Sequence, residues 1–249
     1  MLLKVLTSSW FAAWLLQAML VGVLLLKGMW RKFPFFFCYS AATLLSTTLL
    51  YSVYFAHVSY QVFSSVYWLC EAIGLFVGLA VVWEVFDNLF TPYPALRKLG
   101  TQVLRGAVLF LVVLGCVVAH AQPLGEHSRL PAAFMVVEQA GRILEVGLLL
   151  SLFSFASAFG LHWRQYVFGI ALGLGIFVTV ELVAITMRVQ FGIAANSVFN
   201  VVRTVSFNSS LFIWIAYILA PDLAAQPSEM PKRAVLEQWN KAVMELIYQ

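Results

Sequence analysis

The sequence predicts an all-α protein. It reads as a polytopic membrane bundle of seven transmembrane helices, N-out and C-in, with an amphipathic C-terminal helix at the membrane interface. Three observations predict this. Of 249 residues, 62% are hydrophobic and 10% charged, whereas soluble domains run near a quarter charged. Mean hydropathy is +0.91, and apolar runs near the roughly 20 residues that a bilayer-spanning helix needs recur throughout. The basic residues are also distributed unevenly between the two sides of the expected membrane.

Seven spans are expected, near 9–28, 34–56, 61–86, 102–121, 132–158, 165–188 and 197–219. The first reads as a retained span and not a cleaved signal. Its apolar run is long, it lacks an A-x-A site, and Lys27, Arg31 and Lys32 follow it as a stop-transfer signal would. The third carries Glu71, Gly74 and Gly78, with Glu84 and Asp87 at its inner end, where a surface ion pair with Arg97 or Lys98 is expected. Two prolines in Thr91-Pro-Tyr-Pro94 break the chain before the fourth. A longer outer loop over 121–131 leads to the fifth, which holds Glu138, Arg142 and Glu145. The sixth carries Gly169, Gly173 and Glu181, and the seventh Asn196, Asn200, Arg203 and Ser210. The G-x-x-x-G spacings of spans 3 and 6 are read as packing devices. Cys38, Cys70 and Cys116 lie in apolar runs without CxxC pairing and read as small buried hydrophobes.

The division is thus a membrane domain over 1–220 and a cytoplasmic tail over 221–249. After Pro221 the chain turns polar. Val235, Leu236, Trp239, Val243, Leu246 and Ile247 then recur at helical spacing with charges on other faces. That pattern is an interfacial helix, lying on the inner surface or against a protein partner.

Orientation follows from the Lys and Arg residues. With the N-terminus outside, Lys27, Arg31, Lys32, Arg97, Lys98, Arg105, Arg164, Lys232, Arg233 and Lys241 fall inside, ten of the fifteen. Lys4, Arg129, Arg142, Arg188 and Arg203 fall on the outer side or in outer helix halves. The positive-inside rule therefore favours N-out, C-in. The net charge of +4 speaks to orientation and not to nucleic acid.

The polar interior is the candidate site. Spacings of four and three put Glu138, Arg142 and Glu145 on one face of one helix. An ionised side chain at membrane depth costs about 2.5 kcal/mol or more, so such a stripe faces something polar. Counting along each helix at 1.5 Å per residue places Glu71, Glu181 and Arg203 roughly 8–15 Å below the outer face, in the same layer. Glu71 and Glu181 also share faces with the glycines. The candidate residues are therefore Glu71, Glu138, Arg142, Glu145, Glu181, Asn200 and Arg203. Four carboxylates meet two arginines, with Arg188 near the rim. Either the pairs fix helix register, or the excess carboxylates mark a site for a proton, a cation or a polar ligand.

Several classes are excluded or disfavoured. No lysine lies in the interior of a span, Lys27 standing at the very end of the first, which excludes a retinal Schiff base. His57, His120, His127 and His162 fall near the surfaces, which argues against a haem site and reads as scattered loop histidines, not a metal centre. No P-loop, nucleophile elbow or H-E-x-x-H is present. No catalytic residue, metal ligand or cofactor is assigned, and the chain leaves no room for a soluble catalytic domain.

Three stretches carry a resemblance: Arg31-Lys-Phe-Pro-Phe-Phe-Phe37, Pro92-Tyr-Pro-Ala-Leu-Arg97 and Leu236-Glu-Gln-Trp-Asn-Lys241. Through them the chain resembles a group of uncharacterised bacterial seven-helix integral membrane proteins. More loosely, it is similar to the seven-helix sensor modules that precede histidine kinases, without their output domain. The resemblance implies a multi-pass protein of the bacterial inner membrane. The leading functional expectation is non-enzymatic: a sensory or ligand-binding membrane protein, or a subunit of a larger membrane assembly. The alternative is a secondary transporter or proton- or cation-coupled carrier using the same glutamates, although no repeat pair or broken-helix pair is present. Expected partners are the lipid bilayer and a protein docked on the C-terminal helix, and no nucleic acid.

Overall fold

The computed structural model describes residues 2–56, 58–91, 93–121, 129–158, 165–191 and 196–220. Among them lie seven α-helices and no strand: α1 Leu2–Leu26, α2 Pro34–Phe55, α3 Tyr60–Leu89, α4 Pro94–Ala121, α5 Arg129–Ala158, α6 Gln165–Phe191 and α7 Asn196–Leu219. The expected interfacial helix and His57, His127 and His162 lie outside the described residues.

Helix boundaries follow from local chemistry. Gly28 takes φ +64°, a left-handed conformation that a residue with a Cβ adopts at a cost, and it ends α1. A single 3-10 turn over Met29–Arg31 then leads to α2. Pro34 opens α2 at the position where a missing N–H costs nothing. Pro94 does the same for α4, which therefore starts well ahead of the expected residue 102. Prolines break helices internally but initiate them readily, and Pro94 here begins a helix.

The N-terminal backbone donors of α2 are fully accounted for. Pro34 has no N–H. The Glu84 carboxylate of α3 accepts the N–H of Phe35 at 3.0 Å and of Phe36 at 2.8 Å. Phe37 donates to Phe33 O at 3.0 Å. Glu84 is thus a buried cap on another helix, at a terminus that favours negative charge. The expected surface ion pair involves Asp87 alone, which joins Arg97.

Residues in contact show that helices consecutive in the chain run in opposite directions, while α1 and α7 run the same way, their late ends joined through Lys27 Nζ and Ile218 O at 2.6 Å. Late α3 meets early α4 through Trp83 and Thr101 at 3.2 Å. Late α4 meets early α5 at Gly115 and Val137. Helices α1, α2, α3, α5, α6 and α7 form a ring in that order, with α7 closing on α1. Helix α4 lies outside it against α3 and α5, and α3 also reaches α6.

Six helices carry a stretch long and apolar enough to cross a membrane. In α1 the stretch with that character, Phe11–Leu26, is shorter. Large apolar side chains such as Leu45, Phe55, Leu109, Phe110 and Leu150 point outward all round. Hydroxyls in the spans bond back to the carbonyl four residues earlier, as in Thr43, Thr47, Ser151 and Thr179. That is how a helix in hydrocarbon satisfies them. The chain is a multi-pass helical membrane protein. Cys38 and Cys116 are free and face outward, correcting the expectation that they are buried. A thiol is apolar enough to sit at a lipid-facing position.

Two of the four glycines expected to pack in G-x-x-x-G pairs lie between α6 and α7. A Cβ at Gly169 would meet the Tyr217 side chain, and one at Gly173 would meet Trp214. The bare backbone lets Trp214 Nε1 donate to Ile170 O at 3.2 Å and Ser210 Oγ to Gly173 O at 2.8 Å. In α3 only Gly78 is closely approached. Gly74 has nothing within 4 Å of its Cβ position, so it is not a packing glycine.

Candidate functional site

The ionisable residues within the spans form two adjoining groups. In the first, Arg203 of α7 reaches across the bundle. Its Nη2 lies 3.0 Å from Glu71 Oε1 of α3, and its Nε is paired with Glu181 Oε1 of α6. Its Nη1 has a long contact of 3.5 Å with the Tyr67 hydroxyl. One guanidinium, planar and with five donors, thus joins three helices. This group keeps some access, since the side chains of Arg203 and Glu71 are 28% and 16% exposed. Glu181 is buried.

The second group is on α5. Arg142 Nη1 donates to Glu145 Oε2 at 2.9 Å, and both residues are buried. Glu145 Oε1 faces Gly78 of α3, and neither it nor Arg142 Nε has a hydrogen-bond partner. The guanidinium lies 5.9 Å from the centre of the Phe177 ring of α6, within cation–π reach. Glu138, one turn earlier, is buried as well, with 7% exposure. Among the described residues it has no ion pair and no hydrogen bond.

Towards the end where α2 begins, the layer rests on an apolar floor. Trp214 of α7 meets Phe36 and Tyr39 of α2 edge-on, at 5.2 and 6.1 Å between centroids. This part of the core is closely packed, and Trp214 and Phe36 are fully buried.

The structure therefore brings Glu71, Glu181 and Arg203 into one cluster, and Arg142 and Glu145 into a pair. It leaves Glu138 beside them without a partner. Asn200 is partly buried three residues before Arg203, and its carbonyl accepts Thr204 Oγ1 at 2.8 Å. The side chains of Arg188 and Asn196 lie outside the described residues. Tyr67 and Glu84 were not among the expected site residues. The signal for Tyr67 was its place four residues before Glu71, on the same helical face.

Chemically, the layer holds four carboxylates against two guanidiniums. Fully ionised, it would carry two excess negative charges, which protons, a bound cation or penetrating water must balance. No group of three His, Cys, Asp or Glu among the described residues is placed to hold a metal ion. These features define a polytopic helical membrane protein with a charged layer inside its bundle. No protein-family model matches the chain, and neither a curated protein nor a solved structure does.

Proposed function

We propose that this protein is a non-enzymatic receptor of the bacterial inner membrane, oriented N-out and C-in, whose charged layer takes a small organic cation or a proton at Glu138. The carrying observation is that Glu138 is buried without an ion pair, one helical turn from a buried Arg142–Glu145 pair. Placing positive charge there changes the electrostatic demand on Arg142. Through Glu145 and Gly78 the change reaches α3, and through Phe177 it reaches α6. A bound charge is thereby coupled to helix packing, which a sensor requires. Residues 221–249 supply the output in this reading, as an interfacial helix that docks a protein partner.

The test is thermal stability of the purified protein in detergent across a panel of primary amines, quaternary amines and pH. Stabilisation by one of these, abolished in Glu138→Gln, supports the receptor reading, and a flat response across the panel sinks it. Uptake into proteoliposomes, lost in Glu71→Gln or Glu181→Gln, replaces it with a carrier. An unchanged set of co-purified proteins after deletion of 228–249 removes the docking role.

A further inference from the structure

We propose that the turn between α1 and α2 is a binding site for an anionic phospholipid, with Arg31 and Lys32 holding the headgroup phosphate. The site lies at the end of the bundle opposite the start of α1. Its residues fall just beyond the apolar spans that begin at Pro34 and Tyr166 and end at Leu219. That is the depth of the phosphate layer if the spans fill the hydrocarbon.

The turn is pre-organised. Gly28 reverses the chain in the left-handed region. Four backbone bonds then hold the segment up to Phe33: Gly28 N to Leu25 O, Arg31 N to Gly28 O, Lys32 N to Met29 O and Phe33 N to Met29 O, from 2.8 to 3.3 Å. Met29 and Phe33 are buried in the core and pin the turn from below. Trp30, Arg31 and Lys32 are left exposed on a rigid support. The Arg31 guanidinium lies over the Trp30 ring at 4.8 Å, and Lys32 Nζ over the Tyr166 ring of α6 at 4.9 Å.

The charges here are not neutralised by described residues. The two described carboxylates at this end are already engaged. Glu84 accepts the N–H groups of Phe35 and Phe36, and Asp87 pairs with Arg97. Lys27 donates to Ile218 O, which leaves Arg31 and Lys32 with aromatic faces alone. Apolar surface lies on the membrane side: Leu26 is 90% and Trp30 42% exposed. Two cations, an interfacial tryptophan and an adjoining apolar strip match a phosphate with its acyl chains. A free anion would gain nothing from Leu26 or Trp30.

The probe is phosphatidylcholine vesicles containing a minor fraction of phosphatidylglycerol, with bromine on the acyl chains of one lipid or the other. The full chain is reconstituted, and the Trp30 contribution to fluorescence is isolated by difference from Trp30→Phe. Trp30 should be quenched more by the brominated anionic lipid than by an equal fraction of brominated phosphatidylcholine. Removing a positive charge should weaken the preference about fivefold, so Arg31→Gln with Lys32→Gln should weaken it roughly 25-fold. Equal quenching by both lipids in the wild type overturns the proposal, as does a preference unchanged in the double variant. The competing occupant is the tail, with Asp222, Glu229, Glu237 and Glu245. A preference that emerges only when those four are changed to their amides assigns the patch to the tail instead.

Discussion

The Glu145 carboxylate lies against the bare backbone of Gly78, with Oε1 too close to leave room for a Cβ on that glycine. A charged group of α5 is thus seated in a notch of α3, and the notch exists because residue 78 has no side chain. The same carboxylate is held from the other side by Arg142, so it has little room to retreat.

Gly78→Ala should therefore destabilise the bundle although alanine is the better helix former. Overpacking costs about 1–3 kcal/mol, against a propensity gain of about 1 kcal/mol. The decisive measurement is a double-mutant cycle with Glu145→Ala, read as stability in detergent. With the carboxylate gone, Gly78→Ala should turn neutral or stabilising, a coupling within the range of about 0.5–3 kcal/mol seen for touching residues. The same cost in both backgrounds would mean that the two residues do not touch.

The glycines of the two G-x-x-x-G pairs should separate sharply. Gly173→Ala drives a methyl into the Trp214 indole, whose Nε1 is bonded to Ile170 O. It should cost about 1–3 kcal/mol and shift Trp214 emission. Gly74→Ala meets nothing within 4 Å and should be neutral, or stabilising by up to about 1 kcal/mol. Equal losses at 74 and 173 would overturn the packing described for α3 and α6.

The two acidic residues at the far end of α3 give a similar contrast. Glu84→Ala strips two backbone donors of their acceptor, at about 1–3 kcal/mol for each donor left buried. Glu84→Gln keeps one acceptor oxygen and should fall between alanine and wild type. Asp87→Ala breaks only a surface pair with Arg97 and should cost no more than about 1 kcal/mol. Chemical denaturation of the three variants ranks them, and an Asp87 effect as large as that of Glu84→Ala would reverse the two assignments.

How much of the architecture was legible in the sequence depends on the range of the interaction. The seven helices were, because hydropathy and proline placement are local. The layer holding Glu71, Glu181 and Arg203 was also within reach, because depth follows from counting residues along helices of alternating direction. Partner choice was not. Nothing in the spacing told Glu84 from Asp87, three residues apart, because the cap depends on where α2 begins relative to α3. Gly74 and Gly78 were indistinguishable for the same reason. A glycine spacing names a face but not what a neighbouring helix places against it. Tyr67 was missed because an aromatic in an apolar run carries no polar signal until an arginine is found beside it.

Arg142 provides the sharpest test of the interior. It is buried, it pairs with Glu145, and Glu138 stands one turn away without a partner. In a bundle held by this arginine, Arg142→Met leaves Glu145 without its partner beside the already unpaired Glu138, and removing one side of a buried pair costs about 3–5 kcal/mol. Changing all three, as Glu138→Gln, Arg142→Met and Glu145→Gln, removes the uncompensated charge and should recover much of that loss. The triple variant should nevertheless fail to respond to any cation that stabilises the wild type, because Glu138 is gone. Melting temperatures in detergent for wild type, single and triple variants check both halves. Equal values for wild type and Arg142→Met would show that water reaches the guanidinium, and the buried-pair account of α5 would be wrong.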